Sequence, residues 1–380
     1  MNPTRAIHHI CVRLTSSARI LAVLFLLAGC LSFTFLQRSI SNTSPSPIAL
    51  ATDKLDFTPN EFYIADVRDE RPNTKAIAFL VPTTPPGATP QAVDLEGGTA
   101  NSIRKYIRAS LAHNTQLRPV VMRLKEFKVT ETMSLKGRVE GKMEYVVAFE
   151  VKREGQLLHL FEYKSGARYD RPAGQAAALE PTLRQAIAES LRYLHRWMAL
   201  EVKHNEKLAR EIKVTFEDFT QNNEPDTLFY DPNRPLNWSD FKGGPVTSGK
   251  FAAFIFPGLS SESYAVVKNG VIHVKVTLRV YTLRQLSKVR ADSKTAYVLN
   301  HEQRHFDIVK LVAEHYKQRV QPQKLTLQDY DSMIKYQYLE ALWELDQLQK
   351  QYDEETHHGL NHTAQERWNR KIQDELQSFM

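Results

Sequence analysis

Between residues 299 and 315 the chain reads LNHEQRHFDIVKLVAEH, and His301, Glu302 and His305 stand there in the pattern H-E-x-x-H. On a helix, residues four apart lie one above the other on a single face. His301 and His305 can therefore offer two imidazoles to one metal ion, each at about 2.0–2.1 Å. Glu302 falls about a hundred degrees round the helix from His301, beside an open coordination position. Zinc held there lowers the pKa of a water ligand towards ~7, and a carboxylate in that place can take the released proton. The competing reading is a surface helix of a basic protein that carries two histidines without using them.

A catalytic zinc site needs a third protein ligand, which the motif does not contain. Two downstream stretches can provide one. Glu340 or Glu344, in YLEALWELD, would be a carboxylate on a second helix. QYDEETHHGLN, residues 351 to 361, holds acids and the pair His357 and His358 beside Gly359, whose backbone freedom lets a chain fold back.

These side chains need elements to position them. Val298, Phe306, Ile308, Val309 and Val312 give the motif helix an apolar packing surface. Spacing and breakers predict three helices, roughly 293–320, 326–351 and 361–378, parted by Pro322 and by Gly359 with Asn361. Upstream, ESYAVVKNGVIHVKVTLRVYT reads as two strands joined at Lys268-Asn269-Gly270, a hairpin signal. The C-terminal domain is expected over 230–380, with LNWSDFKGGP at 236–245.

Taken in order, LNWSDFKGGP, HEQRHFDI and YDEETHHGLNHTAQERW resemble the bacterial family catalogued as domain of unknown function 922, described as zinc-dependent proteases. The likeness spans residues 236 to about 378 and does not cover 1 to 225. The family's W-x-D-F-x-G falls on Trp238, Asp240, Phe241 and Gly243. Its H-E-Q-x-H-F-D-I falls on His301, Glu302, Gln303, His305, Phe306, Asp307 and Ile308, and its Y-D-x-x-T-x-H-G on Tyr352, Asp353, Thr356, His358 and Gly359. The resemblance implies a site with one Zn2+ per chain and Glu302 as general base. It favours His358 over His357 as third ligand. Asp353 is the alternative, as a ligand or as the acceptor that orients an imidazole. Asp307 is a further candidate for the orienting role, and Tyr352 for a hydrogen bond to a developing oxyanion.

Residues 61–215 are expected to fold as a separate α+β, sandwich-like unit. FYIADV reads as a strand entering the turn RDERPN. SIRKYIRASLAH reads as a helix with Ile103, Ile107 and Leu111 on one face and Asn101 or Ser102 as its cap. LRPVVMRLKEFKV, GKMEYVVAFEVKRE and GQLLHLFEYKSG alternate as half-buried strands do, and LEPTLRQAIAESLRYLHRWMALEV follows as an amphipathic helix. Asp69-Glu70-Arg71-Pro72 gives the unit a likeness of shape to envelope lipoproteins with a D-x-R-P turn after the first strand. It carries no catalytic constellation. His159 and His195 read as partly buried structural histidines, and docking of an envelope partner is the unit's expected role. Acids, Asn and Pro without period at 216–230 mark the boundary. The whole is expected to be α+β, the second domain zincin-like, with a small antiparallel sheet and three long helices.

Arg5, Arg13 and Arg19 precede the apolar run ILAVLFLLAGCLSFTFL at 20–36, and no acid appears before Asp53. Positive flank then apolar core is the grammar of an export signal. Leu27-Ala28-Gly29-Cys30 resembles the bacterial lipobox, which makes Cys30 the expected lipidation site. The apolar run continues past Cys30, so an uncleaved anchor is the alternative. Residues 1–37 are thus signal or anchor, and the Ser-, Pro- and Thr-rich 38–60 reads as a flexible linker. Both cysteines, Cys11 and Cys30, lie in this leader, so any metal farther on must be held by His, Asp or Glu. The net charge of +7 is dispersed among interspersed bases and acids, with no nucleic-acid motif, so nucleic acid is not an expected partner. The expected function is a membrane-tethered metallopeptidase of the cell envelope, its bulk outside the cytoplasm, acting on peptides or proteins. The alternative is a non-catalytic envelope lipoprotein that binds or scaffolds.

Overall fold

Alternating apolar and polar residues build two main sheets, each backed by helices, and the class is α+β as expected. The computed structural model describes residues 46–82, 89–134, 137–172, 175–221, 223–244, 251–321 and 324–379. The chain divides into two compact units, Met1–Ser46 and Pro47–Met380, and the elements below belong to the second. The leader at 1–37, with Cys30, lies outside the described residues.

The first sheet holds β1 (Phe62–Asp69), β2 (Ala78–Leu80), β3 (Gln91–Val93), β4 (Arg118–Met133), β5 (Arg138–Arg153) and β6 (Gln156–Pro172). Its order is β3-β2-β4-β5-β6, with β1 parallel along the start of β4. Two helices cover it, α1 (Thr99–Ser110) and α2 (Glu180–Glu201). Leu183, Ile187, Leu191 and Leu194 recur at helical spacing and bury one face of α2 in a core with Val120, Met122, Tyr145 and Val147. Each such side chain contributes roughly 1.5–3 kcal/mol by leaving water. Gly98 precedes α1 in the cap position, while Asn101 and Ser102 sit inside its first turn and donate back to Gly97 O and Glu96 O. Arg71 of the D-E-R-P turn is buried. It grips Asp69 at 2.8 and 2.7 Å and donates to Ala76 O, Phe127 O and Thr99 Oγ1, so the motif staples β1 to β4 and α1.

Residues 47–60 differ from the expected linker. Ile48, Leu50, Leu55 and Phe57 pack on this first core, and Leu55 N–H donates to Ser110 O at 3.1 Å. The reason is local alternation: in an extended chain every second side chain faces one way, so Ile48 with Leu50, and Leu55 with Phe57, can both reach the core. Phe57 stacks on the half-buried His195 at 4.6 Å, whereas His159 is exposed on β6.

The second sheet holds β7 (Glu211–Asp218), β8 (Thr227–Phe229), β10 (Pro257–Lys268) and β11 (Val271–Leu283), while β9 (Ala253–Phe254) pairs with β12 (Lys288–Val289). β10 and β11 form the expected hairpin. Asn269 and Gly270 take φ of 53° and 76°, which a two-residue type I′ turn requires. β7 runs parallel to β11 along 271–278, and β8 antiparallel to its end at 281–283. Three helices follow, α3 (Ala296–Arg319), α4 (Tyr330–Thr356) and α5 (His362–Gln377). Val274, Val276, Leu278 and Val280 of β11 face Phe306, Val309, Val312 and Tyr316 of α3 in a second core.

The two cores change over between Leu208 and Ala209. β7 therefore serves the C-terminal sheet from Glu211, ahead of the stretch at 216–230 where the sequence suggests the boundary. That aperiodic stretch is the end of β7 and its connection to β8. Bonds cross the change-over, including Leu327 N–H to Glu154 Oε1 (3.1 Å) and Tyr330 Oη–H to Glu206 Oε1 (3.1 Å).

Candidate metal centre

The side chain of Thr295 caps α3 by accepting from Val298 N–H (3.2 Å), and the sheet holds the helix's apolar face. His301 and His305 stand edge to face on its other side, ring centroids 4.9 Å apart. Their Nε2 atoms converge on one oxygen of Asp353 from α4, at 3.4 and 3.1 Å. The donor atoms of the three residues all lie within 4.8 Å of one another. Tetrahedral zinc ligands at about 2.0–2.1 Å stand about 3.3 Å apart, and the two separations from Asp353 Oδ1, 3.1 and 3.4 Å, are close to that spacing.

Asp353, rather than the favoured His358, is thus the third residue at the cluster. α4 continues to Thr356, past the expected end near 351, and keeps Asp353 on the face turned to α3. The chain then reverses through His357, His358 and Gly359, at φ of 50°, 54° and 83°. This left-handed run leaves His358 half exposed, edge-on to Phe251 and 3.5 Å from Asp353 Oδ1 by its Nδ1, outside the group of three donors. Gly359 is favoured by its φ, and a Cβ there would crowd the His301 ring at 3.3 Å.

Three other expectations are also corrected. Glu344 is engaged away from the cluster, by His315 Nδ1 at 2.6 Å and by Arg319, and Glu340 is exposed beside Tyr336. Asp307 touches neither histidine of the motif. It accepts from Tyr230 Oη–H (3.1 Å) and Gln303 Nε2–H (2.8 Å) and pairs with Arg304 (2.9 Å). Tyr352 is wholly buried, its hydroxyl accepting from Gln365 Nε2–H (2.6 Å) and lying within donating distance of His301 O (3.3 Å) and Gln365 Oε1 (2.9 Å), so it has no route to a substrate oxyanion.

Tyr352 instead orients the rings, stacking on His301 (4.8 Å, 22°) and meeting His305 edge-on (4.9 Å). Two glutamines complete the arrangement. Gln365 Oε1 accepts from His301 Nδ1–H at 2.9 Å, and Gln349 Oε1 does the same for His305 while its amide donates to His305 O at 2.9 Å. An amide oxygen only accepts, so each Nδ1 carries a proton and each Nε2 is left facing the cluster. Sequence reasoning passes over both glutamines. Gln349 precedes Asp353 by four positions and so shares its helix face, which was a usable signal; Gln365 offers none beyond lying in the third motif.

Gln303 Oε1 accepts from Leu236 N–H (2.7 Å), which ties the motif helix to the W-S-D-F-K-G turn. There Asp240 is buried, bidentate with Arg234 (2.8 and 2.7 Å) and accepting from Asn237 N–H. Gly243 packs so closely that a Cβ would meet Ser287 O at 2.8 Å. This first motif is a support for α3.

Glu302 is buried beside the cluster, its Oε2 accepting from Ile255 N–H at 3.0 Å. Burial pushes its carboxyl up, and this outweighs the pull of the two histidines. Asp353 behaves oppositely: burial raises it, but hydrogen bonds from His301 and His305 prevail and hold it far below the usual carboxylate range. For His305, burial acts downwards and the Asp353 carboxylate upwards, and the net shift is up. The two neighbouring carboxylates are thus shifted in opposite directions. Above them opens a cleft of about 760 Å3.

No family model matches the chain. No curated protein matches it either. Among solved structures it is similar to an uncharacterized protein at 11% identity, over 40% of this chain and 99% of that one, with a TM-score of 0.24. It is also similar to a Xanthomonas campestris protein of the family DUF330 at 9% identity, over 40% of this chain and 91% of that one, with a TM-score of 0.26. Likenesses of that degree assign neither a fold family nor a function.

Proposed function

We propose that this chain is a zincin-like, zinc-dependent peptidase tethered to a membrane of the cell envelope. One observation carries the reading: His301 Nε2, His305 Nε2 and Asp353 Oδ1 converge beside a buried glutamate in an open cleft. The three motifs that resemble domain of unknown function 922 support it, and so do the apolar run and lipobox ahead of Ser46 for the tether. His301, His305 and Asp353 would hold one Zn2+ per chain. Bound there, the ion supplies a Lewis acid for the scissile carbonyl and acidifies the attacking water.

The chain's own groups supply the rest. Glu302 takes the proton of the attacking water and passes it to the leaving amine. Its Oε2 is pinned by Ile255 N–H, which leaves Oε1 for that exchange. Its raised carboxyl suits it to hold the proton between the two stages. Gln349, Gln365 and Tyr352 keep both imidazoles aimed, and α3 is braced by the sheet behind it.

Glu302→Gln is expected to retain zinc and to lose hydrolysis by ~10²–10⁴-fold. A variant as active as the wild type overturns the assignment of the base. Full-length protein that takes up less than one equivalent of zinc without chelators present points instead to the envelope scaffold, with residues 61–215 as its docking part.

A further inference from the structure

The cleft over the cluster has a selective lining. Phe251, Phe254 and Leu360 stand at it with 45%, 37% and 82% of their surface exposed, and Tyr297, Val298 and Leu345 continue the apolar wall. Large apolar side chains grouped in the open mark a place where something apolar docks. β9 shows how the sequence arranges it: Ala253 and Ile255 turn inward to the core, so Phe254 between them must turn outward.

Charge is equally selective. The chain has 50 lysines and arginines, yet among the described residues none lines this cleft, whereas Glu302, Asp346 and Asp353 do. The two positive charges of a divalent ion would be matched by Glu302 and Asp353. Asp346 is then the remaining charge, paired on its exposed side with Lys350 at 2.7 Å. Apart from the motif pair, the basic side chains on these described walls are His358 and His362, so an acidic side chain brought into the cleft meets no lysine or arginine there.

From this lining we infer that the substrate is an extended peptide segment with apolar side chains next to the cleaved bond and no acidic residue beside it. The inference rests on the peptidase reading of the same site. Phe254 and Phe251 receive the apolar side chain, and walls without lysine or arginine offer Asp and Glu no such ion pair at the adjoining positions. Replacing a buried apolar group by a poorly fitting one changes kcat/KM by roughly 10–200-fold.

The test uses zinc-loaded full-length protein and an equimolar peptide library in which every natural side chain flanks the bonds, with products read by mass spectrometry. Cuts are expected beside Phe, Leu, Met and Tyr, with Asp and Glu depleted at flanking positions by about tenfold or more. Phe254→Ser should lower kcat/KM on a Leu-flanked peptide by about tenfold and leave zinc content unchanged. A second measure is the affinity of Leu-flanked and Asp-flanked peptides for Glu302→Gln, by fluorescence anisotropy, with the Leu-flanked peptide tighter. Cutting that ignores the flanking side chain, or favours acids, overturns the inference and leaves the peptidase reading standing. If zinc-loaded protein cuts no peptide, the peptidase reading falls, and equal affinities in the anisotropy assay then overturn the inference as well.

Discussion

Asp353→Ala and His358→Ala compete directly for the place of third zinc ligand. Asp353 Oδ1 lies 3.1 and 3.4 Å from the two histidine Nε2 atoms, while His358 reaches only Asp353, at 3.5 Å, from a half-exposed position. Four-ligand zinc sites bind with an apparent ~10–16 kcal/mol, or about 3 kcal/mol per protein ligand. At 1.4 kcal/mol per decade that is a rise in Kd of roughly a hundredfold or more for Asp353→Ala. An exposed pair such as His358 with Asp353 is worth about 0.2–1 kcal/mol, so His358→Ala should weaken zinc by less than about tenfold. Competition against a chromophoric chelator at fixed pH gives both constants, and circular dichroism checks that each variant folds. Asp353→Asn, which keeps the shape and removes the charge, should fall between Asp353→Ala and the wild type. Equal losses in the two alanine variants, or a larger loss in His358→Ala, refute Asp353 as the ligand.

Two further outcomes follow from the side chains around that cluster. Gln365→Ala should weaken zinc by ~10–100-fold and Gln365→Glu should recover it, because a carboxylate also accepts from His301 Nδ1–H. Unchanged affinity in Gln365→Ala would mean that the Tyr352 ring alone orients His301. Farther along α3, the hydrogen bond to Glu344 raises the pKa of His315 against the effect of burial, with Glu375 adding to it. A folded value above the ordinary ~6.5 makes the contribution of His315 full below that pH, and it is lost as pH rises through the raised value. Melting curves of the wild type and His315→Gln should therefore keep their full separation below about pH 6.5 and draw together as pH rises above it. A constant gap across that rise means that His315 does not titrate in the fold.

The parts legible in sequence are those written in local spacing. His301, Glu302 and His305 share a helix whose face can be counted off residue by residue, and Asn269-Gly270 announces its hairpin because few residues tolerate positive φ there. Asp353 was harder because its role depends on where α4 stops. Ending that helix at 351 would make Asp353 a loop residue; carrying it on to Thr356 places it opposite His305. Gln349 and Gln365 act through orientation alone, and an amide has no titration or ligand habit to draw attention to it. Residues 47–60 mislead for a different reason: they follow directly on the Ser-rich stretch 39–46, while four spaced apolar side chains of their own decide where they lie.

The position of β7 also bears on how the chain is made. It follows directly on Leu208, the last member of the first core, but its partner β11 begins only at Val271. A ribosome delivers β7 with the first core finished and its own partner still unsynthesised, which exposes a strand to pairing with other chains. Glu211, Lys213 and Glu217 occupy its outward positions. Charges at those places repel a stray neighbour during that interval, and in the finished sheet they guard the same strand.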